Sequence, residues 1–150
     1  MNKLTYMQIA LQQAHAAKAR GEVPVGAVVV DKAGKIIAQA GNETRELNDP
    51  TAHAEMLAIR RACKVLTTER LVGCKLYVTL EPCNMCAAAI SFARIDKLYY
   101  AAQDAKGGAV DNGTRFYHQT TCHHAPEVVG GLNEAEASTL LTEFFAQKRK

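Results

Sequence analysis

No stretch of this 150-residue chain approaches the roughly 18 consecutive apolar residues that a membrane span requires, so a membrane-embedded protein is not the reading. The opening run MNKLTYMQIALQQAHAAKARG is interrupted by Gln12, Gln13 and His15 and lacks a continuous apolar segment. A secretory leader is therefore not expected. Repeats and low-complexity linkers are also missing. With no seam to divide the chain, one domain over residues 1–150 is expected. Charge of one sign is not in excess: 18 Lys and Arg face 15 Asp and Glu, a net +3. That permits a nucleic-acid partner without demanding one. The cysteines number five, an odd count without secretory context, which argues against a disulfide framework and for a reducing cytoplasm.

What is present is an ordinary globular composition, 48% apolar and 22% charged. Residues 4–20 read as an amphipathic helix with Leu4, Met7, Leu11 and Ala14 at helical spacing and Gly21 at its end. VGAVVVD (25–31) is nearly all apolar, as in a strand covered on both faces. With KIIAQA (35–40) it predicts a hairpin. After the polar GNETRELND (41–49), Asp49 is suited to cap a helix and Pro50 to begin it. That helix places Met56, Ile59 and Cys63 on its apolar side. CKLYVTL (74–80) predicts a third strand, PCNMCAAAISFA a helix, and DKLYYAA (96–102) a fourth strand. Residues 103–130 read as loop-rich, and a last helix opens at Asn133. The order gives an α/β fold of three layers, α/β/α. Its mixed sheet combines the N-terminal hairpin with parallel strands joined by helices.

LEPCNMCAAA carries Cys83 and Cys86 two residues apart. By itself the pair can be a redox dithiol, half of a structural zinc site or part of a catalytic one. HAE (53–55) decides among them. Both motifs open helices at the ends of what read as neighbouring strands, where open α/β sheets place their sites. His53 joins the two cysteines as a third ligand of a type that suits tetrahedral zinc, and three protein ligands leave a position open. Helix N-termini favour the thiolates. Glu55, close to the metal but not a ligand, is placed to take and give protons.

H-x-E followed by P-C-x-x-C resembles the signature of the zinc-dependent cytidine and deoxycytidylate deaminase superfamily. EVPVGAVVV, GNETR, DPTAHAE, LYVTLEPCNMCAAAI and DAKGGA together are similar to bacterial tRNA adenosine deaminases. The resemblance covers most of residues 5–110. It implies one zinc per subunit on His53, Cys83 and Cys86. It also implies attack of zinc-bound hydroxide on carbon 6 of adenine, with Glu55 as proton shuttle. Asn42 would then bond the flipped base, and the backbone N–H groups of Ala54 and Cys83 would face the base or the intermediate. Asp104 and Lys106 would contact the anticodon loop. A cytoplasmic homodimer acting on the wobble adenosine (position 34) of an arginine tRNA follows from the same resemblance. After DAK the chain departs from the Gly-Ser and Asn-His pairs of those relatives.

Other residues read more plainly. Cys63 and Cys74 are small core residues. CHH (122–124) is expected to pack near the site, within reach of RNA, rather than to supply a fourth ligand, and His15 and His118 are surface or packing residues. Of the pair FF (144–145), one ring belongs to the core and the other, Phe145, reaches substrate, since aromatic stacking commonly holds an unpaired base. Arg94, Arg115 and the KRK end (148–150) add basic character beside Lys106. A zinc deaminase of a free base or nucleotide, such as guanine or cytosine, shares the same site and differs only at its rim. A non-enzymatic zinc fold would leave Glu55 without a role.

Overall fold

The structure is a computed structural model and describes residues 4–148; Arg149 and Lys150 of the KRK end lie outside the described residues. Helix α1 (Tyr6–Ala19) starts from a reciprocal cap. The Gln8 N–H donates to Thr5 Oγ1 at 3.1 Å, and the Thr5 N–H donates back to Gln8 Oε1 at 2.7 Å. Gly21, at φ 84°, turns the chain out of the helix in a conformation that costs glycine little. Strands β1 (Gly26–Val30) and β2 (Ile36–Gly41) form the expected antiparallel hairpin. Helix α2 (Ala54–Leu66) leads to β3 (Lys75–Leu80), α3 (Asn84–Phe92) leads to β4 (Lys97–Ala102), and α4 (Glu134–Lys148) closes the chain.

The sheet order is β2-β1-β3-β4-β5, with β5 spanning Glu127–Gly130. Strands β3 and β4 are parallel neighbours, as expected. Strands β2 and β3 also run in one direction, but they are not neighbours: β1 lies between them, antiparallel to both. The hairpin folds its first strand inward, so α2 crosses over β1 on its way to β3. The loop-rich segment holds a short 3₁₀ turn, Phe116–His118, and the edge strand β5, parallel to β4.

Alternation along β1 builds the three layers. Ala27 and Val29 face one core with Leu57, Ala58, Leu76, Leu98 and Ile90, on the side of α2 and α3. Val28 and Val30 face a second core with Met7, Leu11, Tyr77 and Ala137, on the side of α1 and α4. Each of the fully buried leucines contributes roughly 2 kcal/mol of apolar transfer. The buried stripe of α2 is Ala54, Ala58 and Ala62 with Leu57 and Ile59; Met56 and Cys63 sit at its margin rather than on the buried face. Alanines at helical spacing let α2 lie close on the sheet.

Helix α1 is closer still. A Cβ on Gly26 would overlap the Ala10 carbonyl oxygen, a backbone atom that cannot swing away. Gly26→Ala is therefore expected to destabilise the protein by about 3 kcal/mol, read as a lowered denaturant midpoint at unchanged slope. Among the described residues no helix is long and apolar enough to cross a membrane.

Candidate active site and metal centre

The starts of α2 and α3 meet at the end of the sheet where β2 and β3, which run in one direction, finish. His53 is the N-cap of α2 and Cys83 the N-cap of α3, and neither side chain makes the capping hydrogen bond to its helix backbone. Asp49 and Pro50 do not open α2 as the sequence suggests. Asp49 Oδ1 instead accepts from the Thr51 N–H and hydroxyl, at 2.8 and 2.7 Å. This local Asx turn satisfies the carboxylate before the helix begins. The first amide of α2 is taken from elsewhere: the Ala54 N–H donates to Asn42 Oδ1 at 2.7 Å.

His53 Nδ1 lies 3.6 Å from Cys83 Sγ and 3.5 Å from Cys86 Sγ. The three donor atoms all fall within 4.8 Å of one another, and among the described residues no other His, Cys, Asp and Glu cluster does so. Zinc–sulfur and zinc–nitrogen bonds of about 2.3 and 2.1 Å at tetrahedral angles separate their ligands by about 3.6 Å. The observed spacing and the N,S,S donor set both fit zinc.

The three donors lie close enough to shift one another's proton affinities. The neighbouring Cys86 side chain, then His53, outweigh partial burial and hold the Cys83 thiol down to about 4. The Cys83 side chain, together with burial, pushes the Cys86 thiol upward. Hydrogen bonding to Cys83 raises the His53 imidazole despite its partial burial. A divalent cation held by the three would displace the protons they carry.

Glu55 stands beside this cluster at 4% exposure. Burial drives its carboxyl up to about 7, against the opposing pull of its own backbone N–H and of His53. A carboxyl near 7 can both accept and donate a proton at neutral pH.

Part of the cluster opens into a cavity of about 650 Å³; Cys86, fully buried, does not line it. His53, Glu55 and Cys83 line it, as do Asn42, Asp104, Lys106 and Phe145 from the expected set. Ala54, fully buried, does not, and its N–H donates to Asn42 Oδ1 rather than facing the cavity. Asn42 is itself held from both sides: its N–H donates to Val25 O at 3.1 Å, and Arg20 Nη2 donates to its carbonyl at 3.1 Å. Asp104 Oδ1 accepts from the N–H groups of Lys106 and Gly107, at 3.1 and 2.9 Å, and so shapes its own turn. Lys106 is exposed, and Phe145 is 45% exposed at the rim while Phe144 is buried.

The CHH loop packs elsewhere. Cys122 Sγ donates to His124 O at 3.2 Å, and His124 Nε2 donates to Ile95 O at 2.8 Å, behind α3. Two buried glutamates escaped the sequence reading. Glu22 accepts from Thr44 Oγ1 and from the N–H groups of Arg45 and Glu46 at 2.8–3.3 Å, tying the Asn42 loop to the end of α1. Glu81, 2% exposed, does the same for the loop after β4. Burial pushes its carboxyl up, but hydrogen bonds from Asp104, Asn112, Asp111 and Val110 together outweigh this and hold it below the usual carboxylate range.

Residues 1–102 match the family described as the cytidine and deoxycytidylate deaminase zinc-binding region. A tRNA-specific adenosine deaminase of Agrobacterium fabrum is 61% identical over 144 residues, covering 96% of this chain and 94% of that protein. A solved structure from studies of A-to-I editing by tRNA:A34 deaminases at the wobble position superposes with a TM-score of 0.89 at 62% identity. It covers 91% of this chain and 98% of that one. A guanine deaminase of Bacillus subtilis is more distant, at 34% identity and a TM-score of 0.64, covering 100% of this chain and 96% of that one. With the His-Cys-Cys cluster, the buried glutamate and these matches taken together, the chain belongs to the zinc-dependent cytidine and deoxycytidylate deaminase family, within its tRNA-specific adenosine deaminases.

Proposed function

We infer that this protein hydrolyses adenosine to inosine at the wobble position of a tRNA, that of arginine by its family resemblance. The observation that carries the reading is a single cavity. Part of a zinc-type ligand set opens into it with a buried carboxyl alongside, and its rim carries an exposed lysine and an exposed aromatic ring. A site that takes a base from a polynucleotide needs such a rim, whereas a site for a free base gains more from closing over it.

His53, Cys83 and Cys86 would hold the zinc, which when bound supplies Lewis acidity and a water activated at neutral pH. The chain's own residues do the rest. Asn42, fixed through its backbone and its Oδ1, keeps its side-chain amide N–H groups to orient the base. Glu55 receives the proton of the attacking water and passes it to N1 of adenine as the new C–O bond forms at carbon 6. A second proton travels through Glu55 to the exocyclic amine, the C–N bond breaks, and ammonia leaves. The sum is adenosine and water giving inosine and ammonia. Asp104 shapes the turn that presents Lys106, and Phe145 offers a face on which a neighbouring base can stack.

The chain would work as one deaminase domain, in the cytoplasm where its tRNA is, and as a homodimer. Val72 and Phe92, 64% and 70% exposed, support the dimer. The Leu71 N–H donating to Ala93 O at 2.6 Å brings their segments together, so they form apolar surface a second copy can cover.

Ammonia release from four substrates tests the reading: an arginine tRNA, its anticodon stem-loop, guanine and cytosine. Turnover of the two RNAs is expected. Release from guanine or cytosine alone would replace it with a free-base deaminase.

A further inference from the structure

Glu81 follows β3 and precedes Pro82 and the ligand Cys83. Its Oε1 accepts from the Asp104 N–H at 3.0 Å and Asn112 Nδ2 at 2.6 Å. Its Oε2 accepts from the N–H groups of Val110, Asp111 and Asn112 at 3.1, 2.8 and 3.0 Å. All five donors belong to one loop, residues 103–112. Two backbone bonds flank them: the Glu81 N–H donates to Ala102 O at 2.8 Å, and the Ala109 N–H donates to Pro82 O at 2.9 Å. The loop closes so tightly that a Cβ on Gly108 would lie 2.5 Å from Glu81 Cδ.

Although Glu81 borders the cavity, a carboxylate offers about four lone-pair sites, and five donors already fill them. Converging backbone amides of this kind make an anion nest, here occupied by the protein's own carboxylate. The loop it gathers carries Gln103, Asp104, Lys106 and Gly107, one wall of the cavity. The same residue is joined through Pro82 to the metal end of α3.

We propose that Glu81 is a positioning residue that fixes the 103–112 loop relative to the metal site, and so sets affinity for the polynucleotide around the reacting base without moving a proton itself. This rests on the reading that Asp104 and Lys106 face RNA. Asn112, which supplies two of the five donors, stands in the segment that departs from the Gly-Ser pair of the relatives it resembles.

Glu81→Gln and Asn112→Ala test it, each first shown to retain one zinc per chain. On the anticodon stem-loop, KM is expected to rise about tenfold for Glu81→Gln and about threefold for Asn112→Ala, with kcat within about twofold of the parent. Amide hydrogen exchange should quicken over residues 104–112 and nowhere else. An unchanged KM, or a fall in kcat at constant KM with exchange unaltered, would overturn the proposal. Asn112→Ala keeps the carboxylate and decides the matter if Glu81→Gln does not fold. Failure of the RNA reading shows separately, as a parent enzyme that releases no ammonia from the stem-loop. Amide exchange in the two variants then still decides whether Glu81 holds the loop.

Discussion

Glu55→Gln is expected to lower kcat for inosine formation by about a thousandfold while leaving zinc content and fold intact. The substitution is nearly isosteric, at a side chain only 4% exposed, so packing around it survives. It keeps a hydrogen-bonding group but cannot be protonated and deprotonated in turn. It also replaces a carboxyl that burial already disfavours in its charged form, so the melting temperature should be no lower than the parent's. Metal analysis, a thermal melt and single-turnover kinetics on the stem-loop make the comparison. Near-parental turnover by a zinc-replete Glu55→Gln protein would remove Glu55 from the chemistry.

The second large effect concerns the ligands. Cys83→Ala and Cys86→Ala should each purify without stoichiometric zinc and without measurable deamination. Losing one of three donors leaves two, too few to hold the metal against solvent. The thermal signature separates this from simple misfolding. A ligand that binds only the folded state raises its stability in proportion to RT ln(1 + [L]/Kd), so a chelator should lower the parent's melting temperature. It should leave that of Cys83→Ala unmoved. Cys63→Ala, half-buried at the margin of α2 and outside the cluster, should behave as the parent does. A full complement of zinc in Cys83→Ala would mean that the ligand set is different.

The features legible in the sequence were those written in periodicity and spacing. Apolar runs with turn residues between them marked β1 to β4, and HAE with PCNMC marked the cluster. Four things were not legible, each for a physical reason. Strand β5 is a four-residue edge strand with both ends exposed, so Glu127–Gly130 shows no alternation or unbroken apolar run. The place of β1 between β2 and β3 depends on which way the hairpin folds onto the sheet, and either strand of a hairpin can lie inward. Glu22 and Glu81 carry no mark in the sequence, because a glutamate beside Val or Pro looks like any solvated one. What marks them is the crowd of amides around each carboxylate, and those amides come from loops more than 20 residues further on. The start of α2 was misplaced because Asp49 and Pro50 make a good cap and first turn locally. Asn42, twelve residues earlier, supplies the actual partner for the first helical amide.

His53 and Cys83 occupy the cap positions of α2 and α3 without capping them. Ser, Thr, Asp or Asn at such a position contributes about 1 kcal/mol to a helix, and this chain forgoes it twice. The two positions are thus a standing conflict between what steadies the apoprotein and what binds the metal. Selection of this enzyme for heat resistance in zinc-depleted medium would favour Asp, Ser or Thr at 53 and 83. The survivors would be better-folded proteins with no chemistry left, and their loss would be invisible to any assay that reads only folding.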